Sequence, residues 1–254
     1  MHEPPQVSQA APCLPTRRRL LAGGAAALAA APLLAAAPAS DSYAATRRAA
    51  PPIDDACGPL TPERVLKYLV AGNRRWVSGR LVHPHQTVAR REAVAAEQHP
   101  LATVFSCIDS RVPPEIVFDQ GVGDLFVVRT AAQTNDGLVQ GAVEYGIEEA
   151  LTPLLVVMGH QRCGAVSFVV ETLNAGREAP AHLEDVVEAL RPAYEAAKPI
   201  PGDQVDNTVR AQIRLTVRQL RHDAILEPLE AEGRARIVGA YYSLDTGAVD
   251  FRVE

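Results

Sequence analysis

The stretch LATVFSCIDSR, residues 101–111, places a short apolar run directly before a cysteine, an aspartate and an arginine. The stretch LLVVMGHQRC, residues 154–163, places a second apolar run before a histidine and another cysteine. A third run, Leu125–Val128, lies between them. Because these runs do not alternate with polar side chains, they predict strands buried on both faces, as in a parallel sheet.

Segments with helical character lie between and after the predicted strands. Thr61-Pro62 starts the first of them with a capping hydroxyl and a proline at the first helical position. The alternation of strands and helices predicts an α/β fold with a mainly parallel central sheet flanked by helices. Residues 236–242 and 249–253 predict a hairpin at the sheet edge. The predicted helices are residues 61–76, 88–98, 136–149, 182–197 and 203–221.

Three possible metal ligands follow the predicted strands. Because the carboxyl ends of parallel strands meet at one edge of the sheet, we expect Cys107 to lie close to His160 and Cys163. Three soft protein ligands with one open position are typical of catalytic zinc, which lowers the pKa of a bound water toward neutrality. A lone cysteine at a strand end is often only a buried apolar side chain. Two cysteines with a histidine favour a Zn²⁺ site for hydroxide chemistry.

A carboxylate and a guanidinium accompany the first cysteine. Asp109 and Arg111 are two residues apart, so in extended geometry they share the side of the chain on which Cys107 lies. A carboxylate there can be a fourth ligand or can accept a hydrogen bond from a bound hydroxide, while the arginine orients it through a bidentate pair. A structural salt bridge is the alternative. The proximity of Cys107 favours a catalytic pair.

The composition excludes some functions and leaves others open. The 254 residues carry a net charge of −5, and this acidic balance argues against nucleic acid as a partner. The four cysteines are too few and too scattered for a disulfide framework. Cys13 and Cys57 lie outside the two motifs, and Cys57 is interpreted as a free thiol, with intermolecular pairing as the alternative.

The N-terminus has the pattern of an export signal. Arg17-Arg18-Arg19 precedes an uncharged run that is rich in alanine, and Ala37-Pro38-Ala39 resembles a cleavage site. We therefore predict a twin-arginine-type signal peptide at residues 1–39, a flexible linker at 40–60 and a catalytic domain at 61–254. A membrane anchor is the alternative, but Pro32 and the low hydrophobicity of alanine disfavour it. The expected location is periplasmic or extracellular, without stable membrane insertion after removal of the signal.

The two motifs together resemble those of the β-class carbonic anhydrases. The similarity lies in SCxDSR at residues 106–111 and GHxxCG at 159–164, and it extends to residues 71–76, 83–86, 118–121 and 124–131. The resemblance implies reversible hydration of carbon dioxide to bicarbonate and a proton, through zinc-bound hydroxide. It also implies a homodimer or higher even homo-oligomer in which the N-terminal helix packs on a neighbouring subunit.

The resemblance assigns roles to individual residues as well. Cys107, His160 and Cys163 would bind zinc, Asp109 and Arg111 would form the catalytic dyad, and Asp109 would become the fourth ligand in a closed state. Gln120, often from the partner subunit, Tyr145 and Gly164 would contact substrate. Ala132-Gln133 departs from the family pattern, so the pocket rim is expected to differ. Hydrolysis of COS or CS2, and a zinc protein without catalysis, remain the alternative functions.

Overall fold

The computed structural model describes residues 60–253 as alternating helices and strands. Within these residues the helices are α1 (Pro62–Val77), α2 (Val88–Ala93), α3 (Pro114–Val117), α4 (Gly137–Glu144), α5 (Gly164–Asn174), α6 (Leu183–Ala197), α7 (Gln204–Arg221) and α8 (Leu226–Ala231). The strands are β1 (Ala102–Cys107), β2 (Leu125–Thr130), β3 (Leu154–His160), β4 (Arg236–Tyr242) and β5 (Val249–Asp250). The predicted signal peptide and nearly all of the predicted linker lie outside the described residues.

The five strands form one sheet in the order β2-β1-β3-β4-β5. The first four strands are parallel, and β5 pairs antiparallel with β4 as the second arm of the edge hairpin. The predicted α/β fold with a mainly parallel sheet is therefore confirmed. The last strand is shorter than predicted, because only Val249 and Asp250 pair with β4.

Both faces of the central strands β1 and β3 are covered, which makes a three-layer sandwich. The edge strand β2 is only half-buried along its length, so the prediction of burial on both faces is wrong for this run. Val104 and Val156 point to one face and pack with Leu69 of α1. Phe105 and Val157, the next residue along each strand, point to the other face, where the apolar sides of α5, α6 and α7 cover them. Successive side chains of a strand point to opposite faces, and in β1 and β3 both faces are covered, so both sets of side chains are apolar. This explains why these runs do not alternate with polar residues in the sequence.

Two predicted helices end earlier than their sequence pattern suggests. The helix predicted at 88–98 stops at Ala93; no residue of α2 is buried, so packing does not stabilise further turns. The helix predicted at 136–149 changes at Tyr145 into a π-helical turn, Tyr145–Glu149. Gly146 in that turn lies against Thr103 of β1, where a Cβ atom would be only 2.4 Å from the threonine hydroxyl.

The strand order places a crevice between the ends of β1 and β3. From β1 the chain runs to β2 on one side and then crosses to β3 on the other side. In doubly wound sheets, ligands bind at the carboxyl ends of strands where the direction of winding reverses. Cys107 is the last residue of β1, and His160 is the last residue of β3. Among residues 60–253, no helix is both long and apolar enough to cross a bilayer.

Candidate metal centre

Three buried side chains meet in this crevice with their ligand atoms facing one another. One ligand atom each of Cys107, His160 and Cys163 lies within 4.8 Å of the other two. Cys163 is supplied by a third element, since it is the N-cap residue of α5. The sequence-predicted ligands are thus brought together by two strand ends and one helix start.

The histidine is oriented so that one ring nitrogen is available. Its Nδ1 lies 3.0 Å from the backbone carbonyl of Gln161, which can only accept, so Nδ1 donates. Its Nε2 is buried and has no hydrogen-bond partner among the described residues. A buried polar atom without a partner is costly, and a ring held through its other nitrogen by a carbonyl is typical of metal-ligating histidines. The orphaned Nε2 therefore fits a metal ligand.

The two sulfurs are close enough to influence each other's ionisation. The Sγ atoms of Cys107 and Cys163 are 3.8 Å apart, and the backbone N–H of Ala132 donates to Cys107 at 3.3 Å. The hydrogen bond from Cys163 is the largest cause that lowers the pKa of Cys107 to about 4. The same contact raises the pKa of Cys163. A bound cation would allow both sulfurs to be thiolates at this distance, and two sulfurs with an imidazole suit Zn²⁺.

Asp109 and Arg111 form the predicted pair beside this cluster. Arg111 donates from Nε to Oδ1 of Asp109 at 2.9 Å and from Nη2 to Oδ2 at 2.7 Å, and its backbone N–H also donates to Oδ1. The hydrogen bond from the Arg111 side chain is the main reason that the pKa of Asp109 is lowered to about 2. Oδ2 of Asp109 lies 3.8 Å from Nε2 of His160. Asp109 is held by Arg111 here, and the closed state with Asp109 as a ligand stays a prediction.

A second arginine, which was not among the predicted site residues, fixes the backbone around Cys107. Arg129 of β2 donates from Nε to the carbonyl of Cys107 at 2.8 Å and from Nη2 to the carbonyl of Asp109 at 2.6 Å. The strand register places Arg129 opposite Ser106, the residue before Cys107. Arg129 belongs to the stretch 124–131 that resembles the family, but its contacts could be found only once β1 and β2 were known to be neighbours.

The loop between His160 and Cys163 is held from the β4–β5 turn. Arg162 has a left-handed backbone with φ of 51°, and its carbonyl accepts from Nη2 of Arg111 at 3.2 Å. Its guanidinium pairs with both oxygens of Asp245, and Gln161 donates to the same carboxylate. In the sequence, Asp245 lies merely between the two predicted arms of the edge hairpin. The turn therefore positions the carbonyl that helps to hold Arg111.

The three remaining predicted site residues have different local surroundings. Gln120 is buried and donates to the carbonyls of Phe118 and Asp119, while its Oε1 has no partner among the described residues. Tyr145 is 54% exposed and packs its ring edge-on against Phe126. Gly164 follows Cys163 directly, and a Cβ atom there would meet nothing within 4 Å. The substrate-binding roles of Gln120, Tyr145 and Gly164 stay predictions.

The two residues that depart from the family pattern have an unusual backbone. Ala132 and Gln133 both have positive φ, 51° and 45°, and both are buried. This conformation is costly for residues with a Cβ atom. It turns the N–H of Ala132 toward the sulfur of Cys107. Ala132, one of the two residues that differ from the family pattern, therefore forms part of the wall around Cys107.

Comparison with known proteins agrees with the geometry. The family model for carbonic anhydrase matches residues 102–249. Carbonic anhydrase 2 of Mycobacterium tuberculosis is 42% identical over 193 residues, which cover 75% of this chain and 93% of that protein. A carbonic anhydrase of Mycolicibacterium smegmatis is 40% identical with the same coverage.

Solved structures give the same fold. A structure from a study of two tetrameric β-carbonic anhydrases of the filamentous ascomycete Sordaria macrospora matches with a TM-score of 0.58 at 21% identity. The match covers 73% of this chain and 95% of that chain. With the family model and the mycobacterial relatives, this establishes that the chain belongs to the β-carbonic anhydrase family.

Proposed function

We propose that this protein catalyses the zinc-dependent, reversible hydration of carbon dioxide to bicarbonate and a proton. The observation that carries the proposal is the buried cluster of Cys107, His160 and Cys163 next to a carboxylate held by Arg111. Membership of the carbonic anhydrase family and the mycobacterial relatives of that name support the same activity. Bound zinc would act as a Lewis acid that makes hydroxide available near neutral pH.

Asp109 acts as a fixed hydrogen-bond acceptor in this proposal. With a pKa of about 2 it is fully ionised near neutral pH, so it cannot supply a proton there. Both of its oxygens are occupied by Arg111, which holds the carboxylate plane in one orientation. The carboxylate thereby orients the attacking oxygen toward carbon dioxide, and Arg111 orients the carboxylate. The released proton passes to buffer by a route that does not use Asp109 as the acid.

We also propose that the working form is a homodimer or a higher even homo-oligomer. The tetrameric neighbour from Sordaria macrospora supports this, as do the exposed apolar side chains of Ile108, Leu138 and Tyr145. The apolar side of α1 packs Val65 and Leu69 on the chain's own sheet, so any packing of α1 on a neighbour uses its other side. Sedimentation velocity tests the oligomer, and a monomer at micromolar concentration would contradict it.

The protein is further proposed to be exported through the twin-arginine route. The support is the arginine group at Arg17–Arg19 with the alanine-rich run behind it. Such a route carries folded proteins, so the metal would be loaded before the thiols meet an oxidising compartment. Replacing Arg17 and Arg18 by lysine should retain the protein inside the cell, and unchanged export of the double variant would contradict the assignment.

The activity is tested by stopped-flow hydration of carbon dioxide between about pH 6.5 and 9, with zinc counted on the same sample. The expected result is one zinc per chain and a rate that rises with pH. Zinc without hydration activity at any pH would overturn the proposal. Turnover of COS and CS2 would then be measured, because the altered rim at Ala132-Gln133 is where a different substrate preference would originate.

A further inference from the structure

The two cysteine ligands are near neighbours in a way that has a chemical consequence of its own. Their sulfurs are 3.8 Å apart, and neither cysteine is in a disulfide. The sulfurs of a disulfide are about 2.05 Å apart, so rotation of the two side chains has to close a gap of only about 1.8 Å. The sulfurs face each other without an intervening side chain, because each is in hydrogen-bond contact with the other.

We propose that Cys107 and Cys163 form a reversible disulfide when the protein is metal-free, and that bound zinc prevents it. The oxidised chain then lacks two of its three metal ligands, because a disulfide sulfur is not a thiolate ligand. His160 keeps its place on β3 but cannot hold the metal alone. The pairing of the thiols stands on geometry alone, whereas protection by zinc rests on the proposed zinc site.

The oxidant has to be small. Cys107 is 2% exposed and Cys163 is 1% exposed, so a protein disulfide cannot reach either sulfur in the folded chain. A hydroperoxide, with hydrogen peroxide as the simplest case, meets this requirement.

The oxidation has two balanced steps. In the first, one thiolate attacks the peroxide, an S–O bond forms, the O–O bond breaks and hydroxide leaves, which gives a sulfenic acid. In the second, the other cysteine attacks this sulfur, the S–S bond forms, the S–O bond breaks and the hydroxyl group leaves as water. The two thiols lose two electrons, and hydrogen peroxide is reduced to two molecules of water. A dithiol reductant reverses the change by thiol–disulfide exchange.

The test uses the full chain with C13S and C57S, so that the two cysteines of the cluster are the only thiols. One sample is zinc-loaded, with zinc counted, and the other is stripped by a chelator and checked for folding by near-ultraviolet circular dichroism. Both are treated with hydrogen peroxide, and thiols are titrated after denaturation. The stripped sample should lose both thiols with a mass decrease of about 2 Da, recovered by dithiothreitol, while the zinc-loaded sample keeps both.

Several results would overturn the inference. Retention of both thiols in the stripped sample would do so, as would products heavier by about 16 or 32 Da, since these are sulfenic or sulfinic acids without a disulfide. The triple variant C13S/C57S/C163S is the matched control, because one thiol cannot form the intramolecular bond.

If the stripped chain unfolds, a comparison of oxidation rates still tests the inference. The same oxidation in urea gives the rate for an unordered chain, and disulfide formation must be at least about tenfold faster without urea if the folded geometry is responsible. Equal rates would refute the geometric argument. If the loaded sample contains no zinc, the proposed function fails, while the thiol count of the stripped sample still tests the disulfide.

Discussion

Replacement of Asp109 by asparagine separates a catalytic role of the dyad from a structural one. Both carboxylate oxygens accept from Arg111. In D109N one of these acceptor oxygens becomes an NH2 group that only donates, and it faces either Arg111 or the metal centre. Loss of one oriented hydrogen-bonding group in an active site costs about 2.7–4 kcal/mol in the barrier. We expect kcat to fall about 100- to 1000-fold while the protein keeps one zinc per chain.

The stability cost of the same change should be much smaller. The pKa of Asp109 is lowered from 3.8 to about 2, which would correspond to at most about 2.4 kcal/mol. Arg111 is 52% exposed, so solvent screening reduces this to about 1 kcal/mol. Since the pKa is lowered by folding, the stabilisation is present above pH 3.8 and is lost as the pH falls toward 2. Urea denaturation of both proteins at pH 7 measures it.

The chain offers a matched control for D109N. Asp250 and Arg252 have the same spacing, and Oδ1 of Asp250 also accepts from the backbone N–H and Nε of its arginine, but they lie at edge strand β5. We expect D250N to keep activity within about twofold of the wild type, because the pair touches no ligand. Stopped-flow hydration of carbon dioxide and zinc analysis are compared between D109N, D250N and the wild type. D109N with more than half of the wild-type activity, or without zinc, would refute the orienting role.

Three further changes test other parts of the structure. C163S should bind zinc at least about tenfold more weakly, and a full complement of zinc after dialysis, measured by atomic absorption, would remove Cys163 from the ligand set. D245A frees the guanidinium of Arg162 and should lower kcat by about three- to fivefold at unchanged zinc content, because the carbonyl that accepts from Arg111 is then held less firmly; an unaltered kcat would show that the turn has no positioning role. G72A puts a Cβ atom 1.8 Å from the carbonyl oxygen of Phe118 and should destabilise the protein by about 1–3 kcal/mol, so an unchanged urea midpoint would contradict the close packing of α1.

The sequence predicted what depends on short stretches of chain. The apolar runs predicted β1, β2 and β3, and the residues after β1 and β3 predicted that Cys107, His160 and Cys163 meet, because strand ends in a parallel sheet share an edge. The π-helical turn at Tyr145–Glu149 was not predicted, since its cause is the contact of Gly146 with Thr103, far away in sequence. A helical pattern carries no information about such a contact.

The supporting residues of the site were missed for the same physical reason. Arg129 acts on the carbonyls of Cys107 and Asp109 across a strand pair, and Asp245 acts on Arg162 across more than one element. Neither residue is part of a local motif. The strand order and register must be known before such partners can be found. Ala132 was noticed only as a departure from a pattern, and its N–H bond to Cys107 required the backbone conformation.

The strand order also has a consequence for how the chain acquires its structure. Cys107 and Cys163 are 56 residues apart, and β2 and the crossover helix α4 lie between β1 and β3 in the chain, so pairing of β1 with β3 closes a loop that contains both elements. Closing a loop of this length costs entropy before any contact compensates for it, so contacts of this kind form late and slowly. His160 and Cys163 are local partners, whereas Cys107 joins them only when the central sheet is assembled. Tight uptake of zinc during refolding should therefore lag behind the helical signal in far-ultraviolet circular dichroism. It should coincide with the pairing of β1 and β3, so that zinc binding reports when the central sheet has formed.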